Sequence, residues 1–299
     1  MRTAVALILG AWVLCAAAAE PRIFFDDFGH ADLQQLARAG WLLRDEAGHP
    51  GIEGAAWGGP GSVSLVDDPA QAGNRLLRLA ARSDGTPAGT RQAQVCHARK
   101  YLHGTYAARV RFSDAPVQGP DGDVVVQTFY AVSPLRFDFD PEYSEVDWEY
   151  LPNGGWGDAR TRLYGVSWQT VRLKPWTSFN QSMQHMGSVQ GWHVLVVQVG
   201  EGQVRWFLDG QALARHGGRN VPVVPMSINF NLWFSPGGLV SSSVPREYQQ
   251  DIDWVFHARD ALLSPEEVSA RVGALRQAGA AWHDAVPPAE PPLASTCDF

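Results

Sequence analysis

Charge is scarce in this chain. Only 18% of its 299 residues are Asp, Glu, Lys or Arg, against roughly 25% in an ordinary globular protein. With 45% hydrophobic residues beside it, so little charge excludes a disordered chain or a coiled coil. A net charge of −7 argues against a phosphate-binding surface, which sets nucleic acid aside as a partner. Cysteine is nearly absent, three residues in all, with no metal-cluster spacing. After residue 19 no apolar run reaches the length of a membrane span. Glycine-rich phosphate loops, His-Glu-x-x-His and Gly-x-Ser-x-Gly are all missing, and the nine histidines are scattered. What the chain does have is 30 Gly and 20 Pro, which favour short strands and turns over long helices. It also has 12 Trp, a residue suited to sugar faces as well as to cores.

Arg2, an apolar run over residues 5–14 and small residues at Ala16 to Ala19 form the pattern of a secretory leader. Its removal leaves a chain that starts at Glu20 and is expected to be secreted, extracellular or periplasmic, with no membrane attachment. Only Cys96 and Cys297 then remain. In an oxidising compartment they are expected to pair, the other reading being two free thiols. Such a bridge closes a loop of about 200 residues, worth ~4–5 kcal/mol in the chain-entropy model.

Beyond the leader no linker or repeat marks a seam, so residues 20–262 read as one β-domain and residues 263–299 as a helix and tail. The apolar run 192–199, the turn Gly200-Glu201-Gly202, the run 203–208 and the turn Asp209-Gly210 make a meander of antiparallel strands. Ile228, Phe230, Leu232 and Phe234 alternate with Asn229, Asn231 and Trp233, placing the two sets on opposite sheet faces. Ile252, Trp254 and Phe256 alternate with Asp251 and Asp253 in the same way. Many strands with one apolar face each imply two sheets packed as a β-sandwich. Ser264, Pro265, Glu266 and Glu267 form a helix start, and the helix is expected to run to about Trp282. Pro287, Pro288, Pro291 and Pro292 then make an extended tail.

The most informative segment is Glu145-Val146-Asp147-Trp148-Glu149-Tyr150. On a strand the three acids share one face, while Val146, Trp148 and Tyr150 share the core face. Retaining glycoside hydrolysis needs a carboxylate nucleophile and a carboxylic acid about 5–5.5 Å apart. The backbones of Glu145 and Glu149 are roughly 13 Å apart, so their side chains must lean together over Asp147. Asp147 would raise the proton affinity of its neighbours and hold the nucleophile. Spacing alone leaves three readings open: catalysis, a solvated outer face, or a calcium site.

The acidic run resembles the active-site strand of glycoside hydrolase family 16, whose pattern is Glu-x-Asp-x-Glu. Gly104-Thr105-Tyr106-Ala107-Ala108-Arg109, Arg205 to Gly210, Asn229 to Trp233 and Asp251 to Trp254 are similar to further family strands, in family order. The resemblance covers about residues 24–260. It implies an all-β, concanavalin A-like jelly roll of two antiparallel sheets with a concave cleft, plus one short C-terminal helix. It also implies Glu145 as nucleophile, Asp147 as its assistant and Glu149 as acid/base. Asn231 and Trp233 would contact sugar, Trp233 through its flat ring unless it is an ordinary sheet aromatic. Gln127 and Phe129 are placed by the same alignment on the cleft face. Trp168 lies on the next strand, with its face undecided. Asp253 matches a position that binds calcium in some members, the competing reading being an aspartate solvated at a strand end.

No cofactor beyond that structural calcium is implied, and a monomer is expected. The implied activity is retaining cleavage of internal bonds in a β-linked polysaccharide, with β-1,3- or β-1,3-1,4-glucan ahead of galactans. A transglycosylase, a non-catalytic carbohydrate-binding module and a structural envelope protein are the alternatives. Three departures bear on substrate. Gln198-Val199 stand where the family often has Trp, and Gln94 and Cys96 replace charged contacts. Residues 170–190 read as an inserted loop, with Trp176 at a subsite.

Overall fold

The computed structural model describes residues 20–297, so the leader over residues 1–19 lies outside the described residues. In chain order the first strands are β1 (Ile23–Asp26), β2 (Trp41–Leu43), β3 (Ala56–Trp57), β4 (Val63–Asp67), β5 (Arg75–Ser83) and β6 (Arg91–Tyr101). Next come β7 (Gly104–Phe112), β8 (Val125–Val132), β9 (Glu145–Leu151), β10 (Arg162–Arg172) and β11 (Thr177–Met186). The last are β12 (Gly191–Gly200), β13 (Gln203–Leu208), β14 (Gln211–Gly217), β15 (Met226–Phe234), β16 (Arg246–Arg259) and β17 (Trp282–Asp284).

Pairing sorts most of them into two antiparallel sheets, the two-residue β3 lying parallel to β6. The front sheet runs β2–β6–β15–β8–β9–β10–β11. The back sheet runs β14–β13–β12–β7–β16. The far side of the long β16 is shared by β5 along its first half and β1 along its second. Both meander turns carry positive φ at their two central residues, Glu201 and Gly202, then Asp209 and Gly210. That is the backbone a two-residue hairpin needs to match strand twist.

Between the sheets lies the main core. β15 sends in Ile228, Phe230, Leu232 and Phe234, and β9 sends in Val146, Trp148 and Tyr150. They meet Leu195, Val197, Trp206, Val110 and Ile252 from the back sheet. The period-two reading of β9 and β15 is therefore the observed one, and the fold is the expected sandwich with a C-terminal helix. Because the core row points inward, the acids of β9 must point to the other, concave side.

In β16 the simple alternation breaks. Ile252 joins the inter-sheet core, whereas Trp254 and Phe256 join a second cluster on the outer face. The cause is a bulge: Ile252 pairs with Val110 and Trp254 with Arg109, leaving Asp253 as the extra residue. The outer cluster is covered by α2 (Pro265–Gln277) through Val268 and Val272. Ser264 and Glu267 form a capping box at its start, with Pro265 in the first turn.

The helix stops earlier than Trp282. Gly279 takes φ +72, its N–H donates to Arg276 O and that of Ala280 to Leu275 O, which is a Schellman close. Trp282 instead begins β17, paired with β1. A short helix that the periodicity did not reveal, α1 (Leu33–Arg38), is capped by Asp32. Residues 170–190 are not a loop either: β11 lies within them and adds an edge strand to the front sheet.

The tail after β17 returns to the front sheet. Lys100 holds Asp284 and Val286 O, and Arg99 holds Ala294 O and Thr296. Cys297 is bonded to Cys96 of β6.

Candidate active site

The concave face of the front sheet is lined, strand by strand, by residues of one parity. β9 supplies Glu145, Asp147 and Glu149, all three lining a cavity of about 730 Å³. That volume is within the range of ligand-binding clefts. β8 supplies Thr128, Tyr130 and Val132, which stand opposite Glu149, Asp147 and Glu145 respectively. β10 supplies Tyr164, Val166 and Trp168 opposite the same three acids. From the edge, β11 adds the polar row Ser178, Asn180, Ser182 and Gln184.

Glu145 and Asp147 are buried and Glu149 is half-buried. Tyr143 donates its hydroxyl hydrogen to Glu145 Oε2 at 2.5 Å. The indole N–H of Trp168 donates to Asp147 Oδ2. Burial pushes the Glu145 carboxyl up to about 8; the Tyr143 hydrogen bond opposes this and the Glu149 charge adds to it. Asp147 is pushed well above the usual carboxylate range, first by burial and then by the charges of Glu145 and Glu149. Burial also lifts Glu149 to about 7, against a hydrogen bond from Trp156. Partial solvent contact moderates that lift.

Three carboxylates this close and this dry cannot all be ionised. Asp147 Oδ1 has no donor among the described residues. Burial therefore keeps the trio partly protonated, and the charges of Glu145 and Glu149 oppose the ionisation of Asp147. Glu145 accepts from Tyr143, and that donor favours its ionised form against burial.

Of the other residues read from sequence, Asn231, Trp233 and Trp168 line the cleft. Asn231 is nonetheless engaged: its Oδ1 accepts from Thr128 at 2.5 Å, and its Nδ2 donates to the Tyr130 hydroxyl at 3.3 Å. Trp233 is only 6% exposed, packed with Trp57, Val126, Leu151 and Tyr164. Trp156 lies against it, ring centroids 5.8 Å apart, and is 46% exposed. The open aromatic platform is thus Trp156. Its φ of +53 is a strained conformation for a bulky residue, which the turn imposes and the cleft uses.

Two placements are corrected. Gln127 and Phe129 face the core, not the cleft. Phe129 pairs with Trp148 and stacks on Phe230 at 5.2 Å. Gln127 accepts from Ser113 N and donates to Ser113 O. Both faces of β8 are buried, so nothing in its composition distinguishes them.

Asp253 is neither solvated nor suited to calcium. Its Oδ1 accepts from Asn74 and Arg276, and its Oδ2 from Arg109 and Arg276. The guanidinium of Arg276 and its partners hold its carboxyl below the usual range despite burial. Two cations on one carboxylate leave no place for a third.

The far wall is aromatic. Trp176 meets Trp168 edge-on at 6.0 Å. His49, from the loop after β2, stacks on Trp176 at 5.1 Å, so that loop reaches across the cleft. Arg44 anchors the loop through Glu46 O and His49 O, and it also donates to Gln94 Oε1. Sequence reading missed Tyr143, Tyr130, Thr128, Trp156, Tyr164 and Arg44. For Thr128 and Tyr130 the correct parity of β8 would have found them. For Tyr143 and Trp156, outside the motif strand, only the folded contact reveals the role.

No protein-family model matches the sequence, and no curated protein matches it. Solved structures do match the fold. The β-glucanase of Bacillus licheniformis superposes with a TM-score of 0.57 at 15% identity, over 80% of this chain and 98% of that one. A glycoside hydrolase family 16 endo-glucanase from Bacteroides ovatus, in complex with G4G3G-2F-DNP, gives 0.57 at 14% over 78% and 98%. A laminarinase from Flavobacterium sp. UMI-01 gives 0.56 at 12% over 80% and 100%. The chain has the jelly-roll fold of these family 16 enzymes.

Proposed function

We propose that this chain is a secreted retaining glycoside hydrolase acting on a β-linked glucan, with β-1,3 or mixed β-1,3-1,4 linkages. The observation that carries the reading is the division of labour within the trio. Asp147 is pushed toward its protonated form, Glu145 accepts from the Tyr143 hydroxyl, which favours the ionised nucleophile, and Glu149 sits near pH 7, where it can both give and take a proton. In the first step Glu145 attacks the anomeric carbon, a glycosyl ester forms, and the glycosidic C–O bond breaks. Glu149 gives its proton to the departing oxygen. In the second step Glu149 takes a proton from water, the resulting oxygen attacks the anomeric carbon, and Glu145 leaves as carboxylate. The lining of Trp156, Tyr164, Trp168 and Trp176 beside hydroxyl and amide groups suits pyranose rings, which are apolar on their faces and polar at their edges. The glucan choice is supported by the β-glucanase and laminarinase among the structures that share the fold. The Cys96–Cys297 bridge suits an oxidising compartment, which supports export.

The test is sugar release from a panel of β-1,3-, mixed-linkage and β-1,4-glucans and galactans, with the product anomer followed by proton NMR. The expected result is release from the first two, with the β-anomer appearing before mutarotation. The α-anomer first would overturn retention. Binding across the panel without release would mark a carbohydrate-binding module, and transfer to an added oligosaccharide without hydrolysis a transglycosylase.

A further inference from the structure

The row of residues paired across the front sheet through Asp147 runs Asp147, Tyr130, Asn229, Cys96. Three strand spacings separate its ends, about 14 Å. Cys96 and Gln94 share the concave parity of β6 with this row. Cys96 is bonded to Cys297 of the tail, and Cys297 lines the same cavity as the acids. The tail backbone is held there a second time: Gln94 Nε2 donates to Cys297 O at 2.8 Å and to the Tyr130 hydroxyl at 2.7 Å. Gln94 in turn accepts from Arg44, which anchors the loop carrying His49. The cleft floor on this side is therefore covered by the tail and its wall is raised by the loop. On the other side the floor continues through β10 to the polar row of β11, an exposed edge.

We infer that the tail residue Cys297, pinned by Cys96 and Gln94, is a stop that closes one end of the cleft, so that glucan is cut a short, fixed distance from a chain end and not at internal bonds. This rests on the glycosidase reading and departs from the expectation of internal cleavage. A glycan centred over Asp147 has at most about 14 Å before it meets β6, and Cys297 stands nearer still, sharing Gln94 with the Tyr130 hydroxyl. Its other arm points over β10 toward β11. The bridge is what makes the stop firm: without it the tail is held near β6 by hydrogen bonds that water and sugar hydroxyls can replace.

The test compares the oxidised protein with a Cys96→Ser/Cys297→Ser variant and with a Cys96→Ser variant lacking residues 293–299. All are assayed below their melting transitions, with near-ultraviolet circular dichroism verifying the packed core. On long β-1,3-glucan the oxidised protein should release short products of one length from the outset with little loss of viscosity. The variants should give a spread of lengths and a fast fall in viscosity. Binding separates this inference from the catalytic one, using Glu145→Gln in both backgrounds and a ladder of β-1,3-gluco-oligosaccharides. With the bridge, affinity should stop rising after a few rings. Without it, the longest oligosaccharide should bind about tenfold tighter. Identical product and binding profiles with and without the bridge would overturn the stop. Length-limited binding that the variants relieve, with no cleavage by any form, would uphold the stop and overturn hydrolysis. Absence of both binding and cleavage would overturn both.

Discussion

Glu145→Gln is expected to lower kcat/KM on β-glucan by on the order of 10⁵-fold while leaving oligosaccharide affinity within a few-fold, the scale of removing a catalytic nucleophile. The amide keeps the shape of the carboxylate and can still accept from Tyr143, which donates to this position. It has no charge with which to attack the anomeric carbon, so no glycosyl ester forms. Steady-state rates and isothermal calorimetry on the same oligosaccharide read the two quantities separately. If the variant keeps more than a few per cent of wild-type turnover, Glu145 is not the nucleophile. If binding collapses along with rate, the loss is structural.

Glu149→Ala should divide substrates by leaving group. Natural glucan, whose departing oxygen needs a proton, should lose roughly 10³-fold in kcat, within the usual range for a general acid. A dinitrophenyl glycoside, whose leaving group departs as an anion, should lose less than about tenfold in the glycosylation step. The pH profile carries the same information. Glu149 must be protonated to act first, and burial places its carboxyl near 7, so wild-type kcat/KM on glucan should fall as pH rises above about 7. That alkaline limb should vanish for the variant acting on the activated glycoside. Equal losses on both substrates, or an unchanged limb, would remove Glu149 from the role.

Where one face of a strand is core and the other carries polar or charged groups, the sequence pattern already gave the answer. β9 and β15 are such strands, and their alternation places Glu145, Asp147, Glu149 and Asn231 on the concave side. β8 is buried on both faces, each carrying one polar residue among apolar ones, Gln127 and Thr128, because one side packs in the core and the other floors a dry cleft, and its parity cannot be read. β11 fails for the opposite reason. Its cleft face, Ser178, Asn180, Ser182 and Gln184, is polar and its other face offers only Phe179 and Met183, since an edge strand has little to bury. Asp253 was legible as an acid on a strand but not as a bulge, and the bulge is what turns it toward Arg276. Tyr143 and Trp156 act on the trio from turns, where neither spacing nor composition marks them.

The clamp of Arg109 and Arg276 on Asp253 and the crowded acids of β9 give the two faces of the sandwich opposite responses to acid. At the back, a carboxyl held below its ordinary value contributes to stability above about 3.8 and is lost only as pH falls through its lowered value. At the front, carboxyls lifted from 4.5 to about 7 and 8 favour the folded state at low pH and cost it stability as pH climbs through those values. The two slopes cross in mildly acidic solution. Thermal unfolding followed from pH 3 to 9 should therefore peak between about pH 4 and 6, on the acid side of the optimum set by Glu149 for turnover. A protein of this build is toughest where Glu149 is protonated, and it trades durability for free carboxylates as its surroundings turn alkaline.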